Sequence, residues 1–144
     1  MILIDSNIWV YLLDDHTPEH QSVATWFDEA ALADELLVPT VVQLEVLHIL
    51  RRLVHKDTEN LAASFLDQEL ETLPLTTGEI RAVAITFFVD EMAGIGSRDA
   101  AIIAHARDSN AILATHDSRL IRLAATEDIP TIDPVTAGAA TSAA

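Results

Sequence analysis

The sequence predicts an α/β protein with a central parallel sheet of about five strands. Apolar runs of strand length alternate with longer segments of helical periodicity, a pattern typical of βα units that share a parallel sheet. Two of those runs are followed by the acidic residues Asp5 and Asp117. Because open α/β sheets bind ligands beyond the carboxyl ends of their strands, we expect an acidic cleft at this edge that attracts a cation.

Five short apolar runs are the predicted strands. They cover residues 1–4, 36–38, 73–75, 111–114 and 131–132. Helical periodicity occupies the intervals between them, at residues 7–13, 18–33, 41–54, 58–71, 79–92, 98–109 and 118–125. Pro18 suits a first helical turn, and Thr40 and Thr77 are placed to cap the helices that follow them.

Length and composition indicate one domain. The chain has 144 residues, 50% of them hydrophobic, which is enough for a single core of ordinary size. We assign residues 1–133 to this domain and expect residues 134–144, which lack a pattern, to form a mobile tail. The chain has no cysteine, which excludes disulfides and thiolate metal sites. The first residues resemble neither a signal peptide nor a membrane span, so a cytoplasmic location without membrane contact is expected.

The charge balance is strongly acidic. There are 23 Asp and Glu residues against 8 Lys and Arg residues, and the formal net charge is -15. Such a chain repels itself, and concentrated salt screens that repulsion because the Debye length falls to about 3 Å at 1 M. Adaptation to concentrated salt is therefore a hypothesis for the composition.

Two acidic residues stand where a purely structural role is insufficient. Asp5 is suited to cap the helix after the first strand, but the adjacent Ser6 and Asn7 would cap it equally well. Glu45 shares a helix face with Val41 and other apolar residues, and no Lys or Arg stands three or four residues away. An ionised group on such a face is costly unless a partner compensates it, and a shared metal ion would do so. A hydrogen bond to His48, or an exposed stripe, is the alternative for Glu45.

Two further acidic residues have ordinary structural explanations as well. Gly94 and Gly96 interrupt the chain before Ser97, so Asp99 falls in the first turn of a helix, where the helix dipole favours a carboxylate. Asp117 is suited to cap the following helix. Taken together, four acids would suffice for one or two hard divalent cations, which prefer oxygen ligands. Without a cation, the same carboxylates would repel each other and nucleic acid.

Four pieces of the sequence occur in a specific order and spacing. They are Ile-Asp-Ser-Asn at residues 4–7, the segment 39–46 around Glu45, Ser-Arg-Asp-Ala at the start of residues 97–106, and Ala-Thr-His-Asp within residues 113–120. In these pieces the chain resembles the PIN-domain ribonucleases, in particular the VapC toxins of bacterial and archaeal toxin–antitoxin pairs. The resemblance covers nearly the whole chain.

This resemblance implies a three-layer α/β/α fold and an acidic pocket that binds Mg²⁺ or Mn²⁺ for the hydrolysis of RNA phosphodiester bonds. The family's four acidic positions, its catalytic residues and metal ligands, fall on Asp5, Glu45, Asp99 and Asp117. Its small hydroxyl residue falls on Thr115, in a supporting role. Divalent ions activate a water molecule and neutralise charge on the phosphodiester. The resemblance also implies a cognate antitoxin and a homodimer.

Two positions depart from the family's pattern. Leu120 stands where the family often has Phe, and Arg119 stands where some members carry another acid, which leaves the number of metal ions open. Basic groups that suit contact with RNA phosphates occur at Arg51, Arg52, Lys56, Arg98, Arg107, Arg119 and Arg122. Each is equally suited to a solvated surface or an ion pair, so none is assigned to the site.

Alternative functions remain open at this point. The spacing from His16 to His20 matches the H-x-x-E-H zinc motif, but Pro18 prevents one continuous helix from carrying both histidines. A receiver-like phosphoacceptor domain would need a lysine at a late strand end, and Lys56 lies elsewhere. Closer alternatives keep the PIN fold, either as a nuclease for RNA maturation or as a module that only binds.

Overall fold

The structure is a computed structural model that describes residues 1–53, 55, 57–87 and 94–143. Five strands alternate with helices as predicted. The strands are β1 (Ile2–Ile4), β2 (Leu36–Pro39), β3 (Glu71–Leu73), β4 (Ile112–Ala114) and β5 (Thr131–Ile132). The helices are α1 (Ser6–Leu13), α2 (His20–Ala33), α3 (Thr40–Leu50), α4 (Thr58–Leu66), α5 (Thr77–Phe87), α6 (Ser97–Asp108), α7 (Ser118–Thr126) and α8 (Pro134–Ala143). Parts of two predicted helices, residues 54 and 88–92, lie outside the described residues.

All strand pairs are parallel, in the order β3-β2-β1-β4-β5. The chain therefore builds outward from β1 in one direction through β2 and β3, and then returns to the other side of β1 with β4. The strand order reverses between β1 and β4, and such a switch point opens a crevice at the carboxyl ends of the two strands. The α/β class with a three-layer arrangement and a five-stranded parallel sheet is confirmed.

The core lies on the central strands and the helices that cover them. Leu3, Ile4 and Leu113 are fully buried, as expected for strands covered on both faces. Trp9 on α1 is also fully buried and packs edge-on against Phe27 and Phe65, with ring centroids 5.6 and 5.1 Å away. These aromatic contacts fix α1, the helix that follows Asp5, against α2 and α4.

Several predicted elements differ from the structure, among them the helix predicted at residues 58–71, which ends at Leu66, and the helix predicted from Pro18, which begins at His20. The third strand is β3, two residues earlier than predicted, and its Glu71 and Thr72 are exposed. It is an edge strand that pairs with β2, so its position does not require an apolar run. The expected tail is instead α8, which packs along α2. Among the described residues, no helix is both long and apolar enough to cross a membrane.

Candidate functional site

Asp5 and Thr115 lie side by side at the switch point of the sheet. The register pairs Ile4 of β1 with Ala114 of β4, and the backbone N–H of Asp5 donates to the carbonyl of Ala114 at 3.0 Å. The next side chains are therefore neighbours, and the Thr115 hydroxyl donates to Asp5 Oδ2 at 2.8 Å. Both residues are fully buried. The sheet topology thus fixes one carboxylate and one hydroxyl at the position predicted for the site.

Glu45 reaches the same place from α3. Its Oε2 accepts a 2.5 Å hydrogen bond from the hydroxyl of Ser6, the first residue of α1. The Ser6 backbone N–H donates to Asp5 Oδ1 at 2.7 Å, so Asp5 does cap α1. Ser6 therefore links the carboxylates of Asp5 and Glu45. In the described part of the chain, Glu45 hydrogen-bonds to Ser6 and to Arg98 rather than to the alternative partner His48.

Arg98 lies between the carboxylates. Its Nη1 is 2.6 Å from Glu45 Oε2, 2.9 Å from Ser6 Oγ and 3.3 Å from Asp5 Oδ1. Its Nη2 donates to Asp99 Oδ1 at 2.5 Å. One guanidinium thus contacts three of the four predicted acids, which come from the end of β1, from α3 and from α6. We refer to Asp5, Glu45 and Asp99 together with Arg98 as the Arg98 cluster.

Asp117 lies beside this cluster. Its carboxylate accepts hydrogen bonds from the backbone N–H groups of Arg119 and Leu120 and so caps α7, as its sequence position predicted. Its own N–H donates to Thr115 Oγ1 at 3.1 Å, and Thr115 in turn donates to Asp5. The structure therefore brings Asp5, Glu45 and Asp99 together directly, and connects Asp117 to them through Thr115.

Burial and opposite charges compete within the Arg98 cluster. Burial raises the pKa of the Asp5 carboxyl above its usual value, although the Arg98 guanidinium and the Thr115 hydroxyl act in the opposite direction. Burial acts to lower the pKa of Arg98, but the nearby carboxylates, Asp5 foremost, raise it above its usual value. The pocket therefore stabilises a positive charge strongly.

The chemistry of the residues present fits a divalent cation, although no three of the four carboxylates have oxygens within 4.8 Å of one another in the described part of the chain. Mg²⁺ and Mn²⁺ prefer carboxylate, carbonyl and water oxygens, and here three carboxylates converge on one positively charged group. The guanidinium nitrogen Nη1 is itself surrounded by oxygens of Asp5, Ser6 and Glu45. This position thus already holds a positive charge, that of Arg98. The surrounding donors are oxygens, which hard metal ions require.

Three residues at the site were not assigned from the sequence. They are Arg98, Ser6 and Asn7. The Asn7 side chain donates to Thr115 Oγ1 at 3.3 Å and accepts from the His116 N–H at 3.4 Å. Each adjoins a predicted acid or lies in the Ile-Asp-Ser-Asn piece, so proximity in sequence was an available signal. Of the other basic residues, Arg107 pairs with Asp108, Arg119 donates to the carbonyl of Gly94, and Lys56 lies outside the described residues.

A second group of possible metal ligands lies at the far end of α1. Ligand atoms of Asp14, His16 and His55 lie within 4.8 Å of each other, a spacing that the four acids do not reach in the described part of the chain. His20, the second histidine of the zinc-like motif, begins α2 and has its Nδ1 2.9 Å from the carbonyl of Tyr11. His16 and His20 therefore do not share a helix, in agreement with the argument from Pro18.

Comparisons with known proteins add family and fold information. The family profile described as PIN domain matches residues 2–126. No curated protein sequence matches the chain.

Several solved structures share the fold. VapBC2 from Rickettsia felis, bound to a DNA fragment from its promoter, has a TM-score of 0.72 and 21% identity, over 92% of this chain and 98% of that one. VapC20 from Mycobacterium tuberculosis, a toxin that cleaves the sarcin–ricin loop, has a TM-score of 0.70 and 18% identity, over 85% and 94% of the two chains. A toxin–antitoxin complex from Klebsiella pneumoniae has a TM-score of 0.66 and 14% identity, over 93% and 98%.

Proposed function

This chain belongs to the PIN-domain family, and from that premise we propose that it is a divalent-metal-dependent ribonuclease, the toxin of a VapBC-type toxin–antitoxin pair. The observation that carries the proposal is the convergence of Asp5, Glu45 and Asp99 on one cationic group at the switch point of the sheet. A module retained only for binding would have no need of these costly buried and half-buried carboxylates.

We assign the four acids and Thr115 the following roles. Asp5, Glu45 and Asp99 would hold Mg²⁺ or Mn²⁺ through their carboxylate oxygens, with Asp117 as the remaining acid at the rim. When bound, the ion would lower the pKa of a water molecule and neutralise charge on the phosphodiester. Thr115 holds Asp5 Oδ2 and receives the N–H of Asp117, so it fixes the distance between the first and last acids. Asp117 is available to orient a water molecule or accept its proton.

Two observations support RNA and a protein antitoxin as partners. The VapC20 toxin that shares this fold cleaves the sarcin–ricin loop, and the structure from Klebsiella pneumoniae is a toxin–antitoxin complex. The chain also exposes large apolar side chains, including Leu44, Ile80 and Ile85, which are 70%, 54% and 68% exposed. Such side chains suit contacts with an antitoxin or with a second copy in a homodimer.

An RNA cleavage assay tests the proposal. We expect the wild-type protein to cleave RNA only with Mg²⁺ or Mn²⁺. Asp5→Asn should lose activity by about 10²-fold or more, because an amide NH₂ group replaces one carboxylate oxygen and the ligand loses its negative charge. Thr126→Ala, a substitution at the exposed end of α7, is the matched control and should retain wild-type activity. Equal cleavage in EDTA, or by the Asp5→Asn protein, contradicts the proposal.

Expression of the same proteins in cells separates the toxin from a maturation nuclease. A toxin arrests growth when it is expressed alone, and Asp5→Asn relieves the arrest because cleavage is lost. A maturation nuclease cleaves RNA in the assay without arresting growth. A short antitoxin-like reading frame next to the gene, whose product restores growth, would identify the partner.

A further inference from the structure

Arg98 occupies the place that a divalent cation would need. Its Nη1 lies between 2.6 and 3.3 Å from oxygens of Glu45, Ser6 and Asp5. A bound Mg²⁺ requires ligand oxygens at about 2.0–2.1 Å, so the ion would sit in the space between these same oxygens. The guanidinium nitrogen and the ion cannot both fill that space. Metal binding at this point would therefore require that Arg98 leave and that the carboxylate oxygens, no three of which lie within 4.8 Å of one another among the described residues, close around the ion.

The charges explain why Arg98 docks when no ion is bound. Asp5 is fully buried, and the side chains of Glu45 and Asp99 are only 31% and 12% exposed. Three carboxylates in such a pocket repel each other unless a positive group separates them. Arg98 is half-buried, and its planar fork donates to Glu45 with one nitrogen and to Asp99 with the other.

Resting on the proposed metal dependence, we infer that Arg98 is an internal counter-ion that competes with the divalent cation and thereby sets the affinity of the pocket for metal. The protein has two states, one with Arg98 docked among the carboxylates and one with Arg98 displaced and the ion bound. The apparent dissociation constant for metal equals the intrinsic constant divided by the fraction of protein with Arg98 displaced. A strongly docked Arg98 therefore weakens metal binding without contacting the metal.

The competing interpretation is that Arg98 is a fixed part of the pocket and holds the carboxylates in place for the ion. The two interpretations predict opposite effects when the guanidinium is removed. Loss of a competitor strengthens metal binding, whereas loss of a positioning group weakens it. The sign of the change therefore separates them without reference to RNA cleavage.

Direct titration of Mn²⁺ into RNA-free protein, by calorimetry or by the electron paramagnetic resonance of free Mn²⁺, gives this sign. We expect Arg98→Gln to bind Mn²⁺ about tenfold more tightly than the wild type or better, because the docked state no longer competes. Arg98→Lys keeps the charge but loses the fork, so its affinity should fall between the two. Arg107→Gln is the matched control: it removes the same charge from the far end of α6 and should bind Mn²⁺ like the wild type.

Thermal unfolding gives a second readout. In EDTA, Arg98→Gln should unfold at a lower temperature than the wild type, because Asp5, Glu45 and Asp99 lose their positive partner. On addition of Mn²⁺ its melting temperature should rise more than that of the wild type, since tighter binding stabilises the folded state more. Arg98→Lys, which retains a positive group, shows whether the pocket still folds if Arg98→Gln does not.

Each result has a definite meaning. Mn²⁺ binding by Arg98→Gln that is weaker than or equal to that of the wild type overturns the inference, and the same result for Arg98→Lys confirms that outcome. The proposed metal-dependent nuclease activity is unaffected by this result. Absence of Mn²⁺ binding by the wild type and by every variant overturns both the inference and the proposed metal dependence. Tighter binding by Arg98→Gln together with wild-type binding by Arg107→Gln supports the inference.

Discussion

His105 is a buried titratable residue that the proposed chemistry does not use. It lies on α6 with 6% of its surface exposed, and its Nε2 has no hydrogen-bond partner among the described residues. Burial lowers its pKa below the usual value of 6.5, although Glu79 and Asp108 act in the opposite direction. The folded protein therefore holds a neutral imidazole there, and the unfolded chain binds a proton more readily.

This difference predicts how stability depends on pH. Well above pH 6.5 His105 is neutral in both the folded and the unfolded protein. As the pH falls through 6.5, the unfolded chain takes up a proton on His105 before the folded protein does, and the free energy of unfolding decreases. This decrease ends when the pH falls below the lowered pKa of His105 in the folded protein. His105→Leu should remove this loss and add about 1 kcal/mol at neutral pH, since no buried nitrogen is left unpaired. Urea unfolding at several pH values measures both effects. His48→Gln, an exposed site on α3, is the control, and the prediction fails if both variants show the same pH profile.

At the scale of elements, α8 illustrates how tertiary contact decides secondary structure. Residues 134–143 are rich in Ala and Thr and show no hydrophobic periodicity, yet they form a helix against α2. A Cβ placed on Gly138 would lie 1.8 Å from the carbonyl oxygen of Ser22 on α2. The two helices therefore approach closely because residue 138 has no side chain. The small residue Gly138 allows the backbones of α8 and α2 to come into contact. Hydrophobic periodicity does not detect such a contact.

Gly138→Ala should separate the two helices. The added methyl group meets backbone rather than a flexible side chain, so we expect a loss of about 1–3 kcal/mol or release of α8. Hydrogen exchange of the amides in residues 134–143 distinguishes release from a small shift. Ala139→Ser, at an exposed position of the same helix, should leave exchange unchanged. Unaltered protection in Gly138→Ala would show that the helices tolerate a wider spacing.

The whole molecule carries a net charge of -15, and repulsion between carboxylates is seen at one place on its surface, between Glu71 and Glu35. The exposed Glu71 on the edge strand lies beside Glu35, and the hydrogen bond and the negative charge of Glu35 raise the pKa of Glu71. Two carboxylates this close to each other repel at low ionic strength. The same repulsion, summed over the surface, opposes folding unless salt screens it.

We expect the free energy of unfolding of the wild type to increase as KCl rises from about 0.1 to 1 M, because the Debye length falls from about 10 to 3 Å. Glu71→Gln should be more stable than the wild type at low KCl and lose this advantage at high KCl. Chemical unfolding across the KCl series measures both proteins. Stability that is independent of KCl would exclude salt adaptation as the reason for the composition.

The sequence by itself determined the α/β class, the parallel sheet and the positions of the acids along the chain. These follow from local patterns, namely apolar runs, helical periodicity and the residue types that follow strands. Asp5 and Thr115, which the structure joins by a hydrogen bond, follow predicted strands, and strand ends meet at one edge of a parallel sheet.

Only the tertiary structure decided that Arg98 lies among the acids and that residues 134–143 form a helix. The Arg98 guanidinium meets Asp5, 93 positions earlier, and Glu45, 53 positions earlier, and no periodicity records such a contact. The physical reason is that a flexible side chain takes its position from the charges that the fold assembles around it, whereas a strand takes its position from its own apolar residues. The helix α8 likewise depends on a surface that α2 supplies.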